Sequence, residues 1–182
     1  AGIEDKSNTE IVAVGRKTDA FFRNRDYEVA KSYIGISERP SYDDAKEIAV
    51  DLISRFVSGE VKEISMVYTR FVSAISCVPE TVKLLPFGNL AGQGGTHAEY
   101  IYEPDAQSVL GYMLPQYLVT TIYAALLQAA ASELSSRMNA MSNATDNAQE
   151  LIAKLDLHYN KVRQAGITRE ITEIVGGAEA LK

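Results

Sequence analysis

Cysteine occurs once in the 182 residues, at Cys77, and tryptophan does not occur at all. A single thiol excludes an internal disulfide framework, and with only His97 and His158 no cluster of zinc ligands can be assembled. Positive charge is also scarce: 18 lysines and arginines stand against 24 acids, a net charge of −6 with no basic stripe. That balance argues against bulk affinity for nucleic acid or anionic lipid. Proline is absent after Pro115, so the last third of the chain has no strong helix breaker. The chain opens on Ala1-Gly2-Ile3 without methionine and without a basic-then-apolar targeting segment, and is expected to be cut from something longer. What is present, 46% hydrophobic and 23% charged residues, fits an intracellular, metal-free globular protein of one domain plus something extra.

Charge divides the chain into three stretches. Residues 1–105 hold 12 basic and 17 acidic residues, residues 106–132 hold none, and residues 133–182 hold 6 and 7. In the first stretch, Glu10-Ile11-Val12-Ala13-Val14-Gly15 is a β-branched run ending in glycine and reads as a buried strand, with a short helix after it. Over 41–57, Ala45, Ile48, Ala49, Leu52, Ile53 and Phe56 recur at helical spacing, and Ser41 with Asp44 resembles a capping box. Residues 63–76 favour a strand by composition, 81–86 a second one after a break at Pro79, and 98–103 a third. Strand, helix, strand in that order predicts a βαβ unit and an α/β fold with a partly parallel sheet.

From Asp105, a candidate N-cap, no strand signal appears, and Pro115 is expected to interrupt the helix or begin a new turn. The uncharged block is long enough for a bilayer span, but Pro115, Gln116, two threonines, Gln128 and the lack of a flanking basic cluster favour a helix packed on the sheet domain. One helix over 116–180 would span roughly 98 Å at about 1.5 Å per residue, far beyond a globular domain of this size.

Leu134, Met138, Met141, Thr145, Ala148, Ile152, Leu155, Tyr159 and Val162 alternate four and three residues apart, a heptad seam. A five-residue step next to Gly166 shifts its phase, and the pattern resumes through Ile167, Ile171, Ile174, Ala178 and Leu181. Such a stripe needs a second helix against it. That partner is either a second copy or a helix upstream of Ala1. The alternative is a helical hairpin turning at Ser142–Asn147.

Chemical motifs fail on spacing. Gly92-Gln93-Gly94-Gly95 lacks the third glycine of a dinucleotide fingerprint, and Gly15-Arg16-Lys17-Thr18 lacks the earlier glycine and the Gly-Lys-Thr of a phosphate loop. Cys77 reads as an inert core thiol, and neither histidine sits in a triad-like setting. Glu150 and Lys154 form an ordinary i, i+4 pair. No catalytic, cofactor or metal residues are expected.

The tail from Ile167 to Ala180 resembles the C-terminal signature of the γ subunit of F-type ATP synthases, with Ile167, Thr168, Glu170, Glu173, Gly177, Ala178 and Ala180 meeting its constrained positions. Similar stretches are Ser132-Glu133, Arg137-Met138, Met141, Ala144-Thr145-Asp146-Asn147, Tyr159-Asn160-Lys161, Arg163-Gln164-Ala165, Tyr102-Glu103-Pro104-Asp105 and Leu84-Leu85-Pro86. The resemblance implies a Rossmann-like α/β foot domain (1–104), an uncharged helical segment along it (105–132), and a C-terminal shaft helix (133–182). That helix is half of an antiparallel coiled coil whose other half is the chain's own missing N-terminal helix. It implies a non-catalytic rotor subunit of the central stalk, peripheral to the cytoplasmic face of a bacterial plasma membrane or the equivalent organelle face and not inserted in it. The implied partners are the catalytic α and β subunits, the ε subunit and the membrane rotor ring of c subunits. Carried over singly, Arg137, Gln164, Thr168, Glu170 and Thr172 resemble shaft residues facing the α/β ring, and Tyr102 and Glu103 resemble foot residues meeting the membrane rotor ring. Two other readings of the residues are a Rossmann-like nucleotide-binding domain with a helical dimerisation arm and a membrane-anchored adaptor.

Overall fold

The computed structural model describes residues 8–87, 102, 103 and 105–179. Two compact units emerge, Ala1–Ser135 and Ser136–Lys182. Strand β1 (Glu10–Val14) lies parallel to β2 (Glu28–Tyr33), with Glu10 opposite Glu28, Val14 opposite Tyr33 and a bulge at Ile11/Val12. Between them runs α1 (Arg16–Arg23), started by Gly15 at φ +103°, a conformation that only glycine adopts without strain. A side chain there would also meet Ser37 Oγ at 3.0 Å. Asp19 on α1 receives hydrogen bonds from Ser32 of β2 and from Arg23, which together hold its carboxyl below the usual carboxylate range.

Helix α2 (Tyr42–Val57) forms where its apolar spacing predicts. Ser41 caps it with a complete capping box, and Gly59 at φ +82° follows its C-terminus. Its buried face is Ala45, Ile48 and Ala49, with Leu52, Ile53 and Phe56 packed at the margin. Strands β3 (Ile64–Ser73) and β4 (Ser76–Leu85) make an antiparallel hairpin. The core gathers Tyr33 of β2, the buried face of α2, Leu84 and Leu85 of β4, and Leu118, Val119 and Ile122 of the helix that follows. Helix α3 itself runs Ala106–Glu179, capped by Asp105, whose carboxylate accepts from the Ser108 amide at 2.9 Å and the Ser108 hydroxyl at 2.7 Å. Those two bonds, the backbone one first, also lower the Asp105 pKa.

Several sequence expectations are corrected. The parallel partner of β1 is β2, not the strand at 63–76, so the crossover helix is α1 rather than α2. The β2 sequence Glu-Val-Ala-Lys-Ser-Tyr carries charge and little β-branching, which hides it from propensity. Pro79 does not break the hairpin; it sits inside β4 opposite Thr69. A strand with a ladder on one side among the described residues accommodates a residue without an N–H. Pro115 lies inside α3 and does not interrupt it. The residue four earlier is Gly111, whose backbone yields most easily to the pyrrolidine ring. Residues 142–147 are helical, so the hairpin alternative is not adopted. Of the strand expected at 98–103, Tyr102 and Glu103 are not in a strand and the rest lies outside the described residues, as do the glycine segment 92–95, His97, Ala180 and Leu181.

Candidate partner interfaces

The first unit offers little chemistry. Among the described residues no group of three His, Cys, Asp or Glu side chains could hold a metal ion. A cavity of about 240 Å³ lies between α2, the end of β4 and α3, lined by residues such as Phe56, Leu85, Phe87 and Leu118, with no titratable or nucleophilic group in its wall. Cys77 is half-buried on β4. Charges cluster instead on the outside of α2, where Arg55 reaches Glu10 at 3.1 Å and Asp51 at 3.4 Å, and Lys31 lies 3.6 Å from Asp51. Lys31 also sits over the Tyr33 ring at 4.7 Å, and the Tyr33 hydroxyl is the first cause of its raised pKa. These are part-exposed pairs of modest worth.

Tyr102 and Glu103 stand immediately before the Asp105 cap of α3, both exposed, with Tyr102 at 44%. They adjoin each other in sequence and in space, at the point where α3 begins.

The second unit is one helical stretch, and every described side chain from Ala140 to Ala178 is exposed. The exposed large apolar residues include Met138, Met141, Ile152, Leu155, Tyr159, Val162, Ile167, Ile171 and Ile174, with Ile174 as open as 72%. Leu134, at the end of the first unit, is exposed as well, as is Ala148. On a helix of 3.6 residues per turn, the steps of four and three from Leu134 to Val162 keep these side chains on one face. A stripe of this length is too apolar for a surface that meets only water. Among the described residues no other element covers it.

The polar positions distribute over more than one face. Gln164, Thr168 and Thr172, spaced by four, form one exposed row, and the Thr172 hydroxyl donates to the Thr168 carbonyl at 2.8 Å. Glu170 lies two residues from Thr168, about 200° around the helix at roughly 100° per residue, beside Ile167 and Ile174. Arg137, exposed, directly precedes the seam residue Met138. Glu150 and Lys154 pair at 2.6 Å. Leu157 and Val175, both exposed, lie off the seam near the threonine row, a pair that the heptad pattern did not single out.

An α/β unit with no metal-holding cluster among its described residues is thus continued by a helix whose apolar face is open. The sequence model described as ATP synthase matches residues 2–181, and the chain belongs to that family. The ATP synthase gamma chain of Desulforamulus reducens is 45% identical over 181 residues, covering 99% of this chain and 64% of that protein. The chain thus spans just under two thirds of the length of the curated relatives it matches. Among solved structures, the central stalk and c-ring of the Tetrahymena thermophila mitochondrial ATP synthase matches with a TM-score of 0.59 at 26% identity, covering 74% of this chain and 60% of that one. A chain of the Euglena gracilis mitochondrial ATP synthase shares the fold at a TM-score of 0.62 and 19% identity, covering 94% of this chain and 62% of its own.

Proposed function

We propose that the chain works as the central-stalk rotor of an F-type ATP synthase, carrying no nucleotide chemistry and coupling ion flow through a membrane ring to conformational change in catalytic α and β subunits. The observation that carries this reading is the open heptad seam on a helix otherwise polar and nearly balanced in charge. The seam takes a second helix in an antiparallel coiled coil, which stiffens the shaft. The remaining surface stays polar, so that contacts with a surrounding ring can break and re-form. Residues 1–104 form the foot, 105–132 the uncharged segment along it and 133–182 the shaft.

A ring encloses its shaft, so contact residues need not share one face. Gln164, Thr168 and Thr172 meet the ring on one side, Arg137 and Glu170 beside the seam. Tyr102 and Glu103, at the start of α3, meet the membrane rotor ring of c subunits, and the ε subunit is a further partner. The subunit is peripheral to the membrane, on its cytoplasmic or equivalent organelle face. Rotation does its work by differential contact: the shaft favours, in each catalytic subunit in turn, the conformation that it fits best, and a contact equal in all conformations would couple nothing.

Reconstitution of the full-length subunit with α and β subunits tests this. Deleting 163–182 is expected to abolish coupled ATP synthesis, and a deletion that left assembly and coupled synthesis intact would overturn the reading of the tail. The Rossmann-like nucleotide-binding reading is not favoured by the relatives found.

A further inference from the structure

Hydroxyls inside a helix ordinarily return to the carbonyl four residues back. Four threonines of α3 do so: Thr120 to Gln116, Thr121 to Tyr117 and Thr145 to Met141, each at 2.9 Å, and Thr172 to Thr168 at 2.8 Å. Ser132 and Ser135 reach across to another element instead. Ser132 Oγ donates to the Thr69 carbonyl on β3 at 3.3 Å, and Ser135 Oγ donates to the Ala74 carbonyl, in the turn between β3 and β4, at 2.6 Å. From the returning strand, Cys77 Sγ lies 3.9 Å from the Ser132 carbonyl. Ser132, 3% exposed, is the one buried polar residue among the described residues. The two serines are three apart and therefore neighbours on one face of the helix. Ser135 is also the last residue of the first unit.

Elsewhere α3 is seated on the foot by apolar burial through Leu118, Val119 and Ile122 and by one polar tie near its start, where Gln116 Nε2 donates to the Tyr42 hydroxyl of α2. Apolar burial is non-directional, so a helix rolled a little about its axis keeps most of it. A hydrogen bond to a carbonyl of the hairpin, in its strand for Ser132 and in its turn for Ser135, is directional and weakens steeply when its geometry is lost. Two such bonds, off the helix axis and one turn apart, resist roll where burial does not. We propose that the β3–β4 hairpin is a catch: Ser132 and Ser135 lock α3 against rotation about its own axis, so torque passes between foot and shaft at this turn. The torque role rests on the rotor reading; the catch itself rests on the two bonds.

The test compares the double variant Ser132→Ala/Ser135→Ala and the conservative variant Ser135→Thr with the unaltered full-length subunit. In the subunit alone, hydrogen exchange of the amides of residues 73–78 is expected to quicken about tenfold in the double variant, as for loss of stabilisation near one hydrogen bond's worth, with α2 unchanged. In the complex assembled in inverted vesicles, ions transported per ATP hydrolysed should drop while hydrolysis continues. Ser135→Thr, which keeps the hydroxyl, should stay close to the unaltered subunit in both. Unchanged exchange in the double variant would overturn the catch. Faster exchange with an unchanged transport ratio would overturn its torque role. Failure of the unaltered subunit to assemble with α and β would sink the rotor reading and the torque role with it, while the exchange experiment would still decide the catch.

Discussion

At Ser41 one hydroxyl and one carboxylate satisfy two backbone amides: Ser41 Oγ accepts from the Asp44 amide at 3.1 Å, and Asp44 Oδ2 accepts from the Ser41 amide at 2.8 Å. Replacing Ser41 by alanine removes a helix N-cap and should lower stability by about 1 kcal/mol, read from the urea midpoint. The same geometry makes a pH prediction. The Ser41 hydroxyl first, then its amide, holds the Asp44 carboxyl below its ordinary value, and Asp19 and Asp105 are lowered by hydrogen bonds of their own. A depressed folded-state pKa gives stability that is complete above the unfolded pKa and is lost as pH falls through the folded one. The melting temperature should therefore decline below the ordinary aspartate range, and the decline should be smaller in Ser41→Ala, where the hydroxyl's share of the Asp44 contribution is already gone.

At the scale of elements, α2 was fully legible, because its apolar residues repeat at helical spacing and its cap residues stand three apart. The strand β1 was legible as a β-branched run closed by glycine, and the helix carrying the four-three apolar repeat was legible as a helix, while the pairing of that repeat with a second helix is proposed. The errors share another cause. Pro79 and Pro115 are breakers by local rule, yet one lies within a strand laddered on one side among the described residues and the other four residues after Gly111, so the setting of each proline overrode the rule. Strand β2 was hidden because Lys31 and Glu28 serve ion pairs and edges rather than the core. Ser132 and Ser135 carried no signal at all, since a serine in a helix looks alike whether its hydroxyl turns back or reaches across. The candidate contacts Arg137, Gln164, Thr168, Glu170 and Thr172 came from a resemblance and not from spacing. A seam substitution tests the element by itself: Leu155→Asp, at an exposed site, should change the stability of the isolated chain by less than about 0.5 kcal/mol. It should nonetheless impair co-purification with α and β subunits, because a charge placed in a coiled-coil seam loses its solvation when the partner helix closes over it.

At the scale of the whole molecule, the two units differ in what holds them. The first is built around a shared core that includes Leu118, only 1% exposed, whereas the second is helical stretch with its apolar face open. Helix propensity alone is marginal support in water. Hydrogen exchange of the isolated chain should accordingly show slow amides in α2 and in α3 near Leu118, and fast amides from about residue 136 onward unless copies associate through the seam. Sedimentation of a strict monomer whose amides over 140–178 were as protected as those of α2 would contradict this.

The exposure of every described side chain from Ala140 to Ala178 also bears on how such a chain can change over time. A substitution at Ala45 or Leu118 is judged first by whether the foot still folds, before any partner is met. Along the open helix that first judgement is nearly silent, and on the rotor reading the neighbours in the assembly become the judge. Drift in this stretch is thus free to follow the drift of those neighbours, position by position, without endangering the foot. One polypeptide can in this way carry a slowly varying base and an arm that is retuned in step with its surroundings.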